Sequence, residues 1–270
     1  MGTLKIGVAL WSFGPTTTED ELSQSLDKAV EIGLEGVQLW CVDEGPGQPC
    51  VLDPDRCTGK KRAEIKKMIE DKGLAISAFC AQLGSPRGLG GFNDDDSAGW
   101  CIAKTKECLT LAAEMDAPIV TTHPGAIPEN KEDPLYGAML ERLGEVARHG
   151  EEVGAAFAIE TGQEPGEVLK NFIEDLSSEA LRVNYDPANM LRHGTLDGVK
   201  HLAPYIVHTH AKDRHPQTRK PTVGRGEVPW DPYITLLKGF GYEGWYAIED
   251  ESGKGVYESV RTGFEFLSQY

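Results

Sequence analysis

Residues 208–213 read His-Thr-His-Ala-Lys-Asp and follow the apolar run Tyr205, Ile206, Val207. Side chains two apart on an extended segment share a face. His208, His210 and Lys212 therefore project together, where a buried strand would carry Val, Leu or Ile. Three other apolar stretches reach an acid as they end: AFAIETG at Glu160, VNYDPANM at Asp186 and YAIEDE at Glu249. Three carboxylates brought within a few ångströms repel one another, and some must take up protons. A divalent cation removes that penalty, leaving three carboxylates and a neutral imidazole near a single negative charge. Oxygen and nitrogen donors without a thiolate suit one Mn, Mg, Co or Zn ion with positions open to water or substrate oxygens.

Taken singly, each residue has a plainer role. A glutamate at a strand end can accept loop hydrogen bonds, Asp186 before Pro187 can cap a turn, and a histidine can be a satisfied core residue. Their coincidence favours the metal. His210, nearer the strand exit, is the better ligand. His208, one layer deeper, either hydrogen-bonds a carboxylate or packs in the core. Lys212 projects above the metal toward substrate, or forms an ion pair with Asp213, Glu249 or Glu251.

These groups need a scaffold that brings consecutive strand ends together. Short apolar runs at Lys5–Phe13, Gly36–Trp40, Ala75–Leu83, Pro118–Gly125, Ala156–Gly162, Leu181–Pro187, Ile206–Asp213 and Trp245–Asp250 read as strands. Amphipathic stretches between and after them read as helices: Thr18–Ile32, Gly59–Lys72, Ser97–Met115, Pro134–Val153, Pro165–Leu176, Leu196–Leu202, Asp231–Phe240 and Gly255–Leu267. Eight strands, each followed by a helix, predict an α/β fold, a (β/α)8 TIM barrel forming a single domain over residues 1–270. No Gly-x-Gly-x-x-Gly follows the first strand, which argues against a doubly wound sheet. GLEGVQLW (33–40) and GYEGWYAIE (241–249) share a Gly-x-Glu-Gly entry to a strand, with the first glycine suited to ending a helix. Pro-Gly-Gln-Pro at 46–49 and the Gly-rich 88–91 are expected to be long loops on the strand-exit side. In such barrels the active site lies at the carboxyl ends of the strands.

The net charge of −16 argues against a nucleic-acid partner, whose affinity rests on basic surface. No apolar window approaches the ~18 residues of a membrane span, and MGTLKIGVAL reads as a strand, not a leader peptide. The six cysteines form no Cys-x-x-Cys pair; Cys80, Cys101 and Cys108 read as core residues, and a cytoplasmic setting is expected. Lys212, Arg214, Arg219, Lys220 and Arg225 make a basic island in an acidic chain, suited either to an anionic substrate or to balancing nearby acids. Trp11 and Trp40, at the first two strand exits, can wall a sugar ring or simply pack.

The segments TTHPGAIPEN, AIETGQE, NYDPANML, HTHAKD, GRGEVPW and GYEGWYAIEDE, across roughly residues 118–251, carry a family likeness. The chain resembles the sugar phosphate isomerase/epimerase group of xylose-isomerase-like TIM barrels, which includes ketose 3-epimerases, inosose dehydratase and, more distantly, endonuclease IV. The resemblance implies a metal held by Glu160, Asp186, His210 and Glu249. The two glutamates would serve as the acid/base pair across an enediolate. His123, Asn189, Lys212 and Trp11 would face substrate, and a homo-oligomer is suggested. Two positions depart from the ketose 3-epimerase pattern: Asn189 stands where those enzymes carry histidine, and Gly166 where they carry a second glutamate.

The chemistry follows from the residue types. A proton alpha to a sugar carbonyl becomes removable when a metal stabilises the enediolate and a carboxylate lies within about 3 Å. A second carboxylate on the other face returns a proton with inversion. The expected activity is thus isomerisation or epimerisation of a small-molecule sugar or sugar derivative. The alternatives are a lyase or dehydratase acting on an oxidised sugar or inositol derivative, and a non-catalytic sugar-binding protein.

Overall fold

The computed structural model describes residues 3–43, 50–85, 88–217, 220–253 and 255–270. Pro-Gly-Gln-Pro at 46–49 and Arg219 lie outside the described residues. Eight parallel strands close a barrel: β1 (Lys5–Ala9), β2 (Gly36–Asp43), β3 (Ala75–Gln82), β4 (Ile119–Thr122), β5 (Ala156–Glu160), β6 (Leu181–Tyr185), β7 (Ile206–Ala211) and β8 (Trp245–Ile248), with β8 paired back to β1. Eight helices cover it: α1 (Glu19–Ile32), α2 (Lys60–Asp71), α3 (Asp95–Glu114), α4 (Pro134–Val153), α5 (Gly166–Leu176), α6 (Thr195–Leu202), α7 (Trp230–Gly239) and α8 (Val256–Leu267). This is the (β/α)8 barrel that the alternation of apolar and amphipathic segments predicts. The Gly-rich 88–91 segment is not wholly loop, because Gly88–Leu89 pairs antiparallel with Gly84–Ser85.

Local chemistry sets the element limits. Thr18 and Glu21 form a reciprocal capping box at the start of α1, satisfying amides that the first turn leaves open. Gly33 and Gly241, the first glycines of the two Gly-x-Glu-Gly junctions, have φ of 94° and 82°, values that side chains with a Cβ seldom adopt. Helix α5 buries Val168, Leu169, Phe172 and Ile173 on one face, the 3.6-residue periodicity of a helix packed on a sheet.

Several strands are shorter than expected, chiefly at the carboxyl end. After β1, Leu10–Phe13 wind into a 3₁₀ turn; β6 stops at Tyr185 and β8 at Ile248. Asp186 and Glu249 therefore sit just beyond the regular ladder. Hydrogen bonds keep them in line: the Glu249 amide donates to Ala211 O at 3.0 Å, and the Asp186 amide donates to Thr161 Oγ1 at 2.9 Å. Asp186 Oδ1 caps the following turn by accepting from the Ala188 and Asn189 amides, both at 2.8 Å.

Buried carboxylates clasp the loops around this rim. Asp213 accepts hydrogen bonds from the amides of Arg214 (2.9 Å), Gly224 (3.0 Å), Gly226 (2.9 Å) and Val228 (3.2 Å), and from Trp230 Nε1 (3.0 Å). The HAKD and GRGEVPW segments are thus one unit folded around one side chain. A Cβ on Gly226 would lie 2.0 Å from Asp213 Oδ1, so that approach requires glycine. Glu164 accepts from the Ile127 amide at 3.2 Å, tying the loop after β4 to the loop after β5. Burial pushes its carboxyl up to about 7, against the opposing pull of the Ile127 amide, His123 and Arg192.

Two stability predictions follow from these clasps. Asp213→Ala leaves its donors without their acceptor, and is expected to lower unfolding stability by ~3 kcal/mol or more and to expose the 214–229 loop to limited proteolysis. An unchanged denaturation midpoint and digest would refute the clasp. For Glu164 the folded pKa lies above the unfolded one, so its contribution is fully present below the unfolded pKa and is lost as pH rises through about 7. Glu164→Gln keeps an acceptor for Ile127 and removes the titration. The variant should gain on wild type at pH 8, on the order of 3 kcal/mol at most, and show no such gain near pH 4.5. Thermal unfolding at the two pH values checks the sign.

Candidate functional site

Glu160 is the last residue of β5, Asp186 and Glu249 directly follow β6 and β8, and His210 lies near the end of β7. The barrel brings one ligand atom from each within 4.8 Å of the others. His210 Nδ1 is 3.4 Å from Glu160 Oε1, 3.8 Å from Asp186 Oδ2 and 3.5 Å from Glu249 Oε2. His210 and Asp186 are fully buried, yet His210 Nδ1 and Asp186 Oδ2 have no hydrogen-bond partner among the described residues.

The orientation of the imidazole follows from its other nitrogen. Gln38 Nε2 donates to Thr121 Oγ1 at 2.9 Å, which turns Gln38 Oε1 toward His210 Nε2, also at 2.9 Å. Asn184 Nδ2 is farther from that nitrogen, at 3.3 Å. The shorter contact assigns the proton to Nε2. In the neutral ring, the Nδ1 lone pair then faces three carboxylates. Such an arrangement is repulsive unless a cation or a proton lies between. Burial opposes the charged imidazolium, but Glu160 and Glu249 overcome it and hold the His210 pKa well above its usual value. Orphaned buried donor atoms and a hard oxygen/nitrogen set are what a divalent cation would satisfy, so these residues fit one.

The surrounding groups hold the carboxylates in place. Glu160 Oε1 is 3.2 Å from both His123 Nε2 and Asn189 Nδ2. Burial raises the Glu160 pKa, but His123 and His210 outweigh it and keep the carboxyl well below its usual range. Trp11 Nε1 donates to Glu249 Oε1 at 3.0 Å, and its ring stacks on Trp40 with centroids 5.3 Å apart. Trp40 lies within β2, not at its exit, since that strand continues to Asp43. Lys212 Nζ reaches Glu249 Oε2 at 2.8 Å, Glu251 Oε2 at 2.9 Å and Asp186 Oδ2 at 3.8 Å. Asp213, named with them as an ion-pair partner for Lys212, instead holds the loop amides. His123, Asn189, Lys212 and Trp11, expected to face substrate, thus all touch the acidic cluster.

His208 supports the site without touching a carboxylate. Its Nδ1 is 2.9 Å from Asn184 Oδ1 and its Nε2 is 3.2 Å from Ser77 Oγ. Burial, then His210, hold its pKa well below the usual value, so the ring is neutral. Of the two roles open to it, hydrogen-bonding a carboxylate or packing in the core, the structure gives His208 the buried one, hydrogen-bonded to neutral side chains. Gln38, Ser77, Thr121 and Asn184 were not singled out in the sequence. The one available signal was a polar residue inside an apolar strand, as in GVQLWCV and LRVNY. Gly166 has a steric reason: a Cβ there would lie 2.8 Å from Gly198 Cα, so α5 and α6 pack too closely for a glutamate.

A family model described as xylose isomerase-like TIM barrel matches residues 26–270. An uncharacterized protein of Methanocaldococcus jannaschii is 24% identical over 181 residues, covering 61% of this chain and 60% of that protein, less than two thirds of its length. Among solved structures, a xylose isomerase domain protein from Planctomyces limnophilus is similar with a TM-score of 0.79 and 22% identity, over 90% of this chain and 91% of that one. D-psicose 3-epimerase from Clostridium cellulolyticum H10 gives 0.76 and 14%, over 98% and 99%. A xylose isomerase-like TIM barrel protein from Mycobacterium smegmatis, solved in complex with magnesium, gives 0.75 and 20%, over 100% and 98%. At these identities the structural likeness is one of fold. With the family model spanning nearly the whole of a closed eight-stranded barrel, the chain belongs to the xylose isomerase-like TIM barrel family.

Proposed function

We propose that this chain is a metal-dependent isomerase or epimerase of a sugar or sugar derivative, with Glu160 and Glu249 as its acid/base pair. The observation that carries the reading is the gathering of Glu160, Asp186, Glu249 and His210 around orphaned ligand atoms at the strand ends. Sugar epimerases among the structures of similar fold support the reaction class, and a magnesium complex among them supports the cation.

A divalent ion, when bound by these four residues, supplies positive charge beside a carbonyl and its enediolate. The rest is the work of the chain. Glu160, held anionic by His123 and His210, is set to accept a proton from carbon. Glu249 is oriented through both oxygens, by Trp11 Nε1 and Lys212 Nζ. Because the two carboxylates rise from β5 and β8, on separate parts of the rim, one can remove a proton and the other return it from a different side. Lys212, buried and cationic, is placed to stabilise negative charge growing on a substrate oxygen. Asn189 holds Glu160 by a neutral hydrogen bond, where a histidine would add a further titrating group beside His123 and His210. Among the described residues no helix is long and apolar enough to cross a membrane, and six buried cysteines form no disulfide there, which accords with a reducing cytoplasm.

The purified protein is expected to hold about one divalent ion per chain. Glu160→Gln and Asp186→Asn should each lower metal content, read by elemental mass spectrometry, while circular dichroism remains that of the folded barrel. Full occupancy in both variants would show the site to be misplaced. The activity test is a screen of ketoses, ketose phosphates and keto acids in D₂O. Epimerisation or isomerisation shows as product with deuterium at the carbon next to the carbonyl. Loss of water or a carbon fragment would indicate a lyase instead. Sugar binding with no label at any carbon would point to a non-catalytic protein.

A further inference from the structure

We propose that the cavity beside the acidic centre is a subsite for an anionic substituent, so that the substrate carries a phosphate or carboxylate; this rests on the isomerase/epimerase reading. The cavity is about 450 Å³, lined by Asn189 and Arg192 from the turn after β6, and by Arg214, His215, Lys220 and Glu227 from the loop after β7. That volume suits a small sugar derivative. Three permanent cations face one carboxylate there, in a chain whose overall charge is −16.

The cavity adjoins the centre through two of its lining residues. Asn189 lines it and donates to Glu160 Oε1 at 3.2 Å. Lys220 lines it and pairs with Glu251 at 3.0 Å, and Glu251 in turn pairs with Lys212 at 2.9 Å. A molecule reacting between Glu160 and Glu249 can therefore extend its far end into this space.

The cations differ in how they are held. Arg192 is fixed at the cavity wall by hydrogen bonds from Nη2 to Gly162 O and from Nε to His193 Nε2. Lys220 shares the Glu251 carboxylate with Lys212. Arg214 has no ion-pair partner among the described residues, although its backbone is pinned on both sides: its amide donates to Asp213 and its carbonyl accepts from the Glu227 amide at 2.9 Å. A guanidinium on a pinned backbone, lining a sugar-sized cavity with no ion-pair partner among the described residues, fits the planar oxygen pair of a carboxylate or the oxygens of a phosphate. Arg225, from the same basic stretch, does not line the cavity and has no part in the subsite.

The test uses the metal-loaded protein with three matched probes: D-fructose, D-fructose 6-phosphate and D-fructuronate. Binding is measured by calorimetry and proton exchange in D₂O on the same samples. Both charged probes are expected to bind at least tenfold more tightly than D-fructose, with the advantage shrinking as salt rises. Arg214→Gln and Lys220→Gln should each reduce that advantage by roughly tenfold. The tighter of the two charged probes identifies phosphate or carboxylate. Equal affinity across the probes, or a charge preference that both variants leave intact, would overturn the subsite. Charge-selective binding that the variants weaken, without label exchange, would keep the subsite and end the epimerase reading. Exchange with no charge preference would keep the epimerase reading and end the subsite.

Discussion

Mutual repulsion among Glu160, Asp186 and Glu249 is the constraint that the upper half of this barrel is arranged to meet. No packing preference would bring three carboxylates and a buried imidazole together; each loses hydration on entering the protein, and each anion raises the cost of ionising the next. The neighbours can be understood as responses. Lys212 offsets one charge, Trp11 and Asn189 each give a neutral hydrogen bond, and His123 stands against Glu160. Even so, Asp186 Oδ2 and His210 Nδ1 stay unmatched. The residual deficit is what a divalent cation would make good.

Beneath the centre, part of the barrel interior is a polar network. Its contacts link Ser77, His208, Asn184, His210, Gln38 and Thr121 across the barrel. An apolar filling of the same space would contribute more hydrophobic stabilisation, but it could not choose a tautomer. The network gives up some of that burial for a fixed direction of the His210 Nδ1 lone pair. Because the members belong to different strands, a slip in register of one would leave several buried groups unpaired.

Those properties also decide what the chain makes legible. The eight strand and helix positions follow from short-range periodicity, and Glu160, Asp186, His210 and Glu249 stand out because acids and histidines at the ends of apolar runs are conspicuous. Strands β1 and β6 end earlier than their sequence suggests because Leu10–Phe13 and Asp186–Pro187 look extended but leave the ladder in three dimensions, whereas β2 runs on past Trp40 to Asp43. Gln38 and Ser77 were harder still. Gln38 meets His210 across 172 residues of sequence, and Ser77 meets His208 across 131. Such contacts depend on the stagger of the closed barrel, which local spacing does not encode. Glu164 was hidden for another reason: in a loop sequence a glutamate looks solvated, and only the packing of two loops buries it.

The alternation of a strand gives one short segment two tasks. His208, His210 and Lys212 face the interior and the acidic centre. Asp213, the next residue, faces the other way and gathers the amides of the following loop. The interior tasks need a histidine and a cation at fixed height; the outer task needs an acceptor that can satisfy several donors at once, which only a carboxylate supplies. A shift of one residue would exchange the two faces, putting Asp213 among three other carboxylates and turning Lys212 to the loop. The loop that Asp213 anchors carries Arg214 and Lys220 back over the same rim. The register of β7 therefore sets together the place of His210 and Lys212 in the acidic centre and that of Arg214 and Lys220 in the cavity wall.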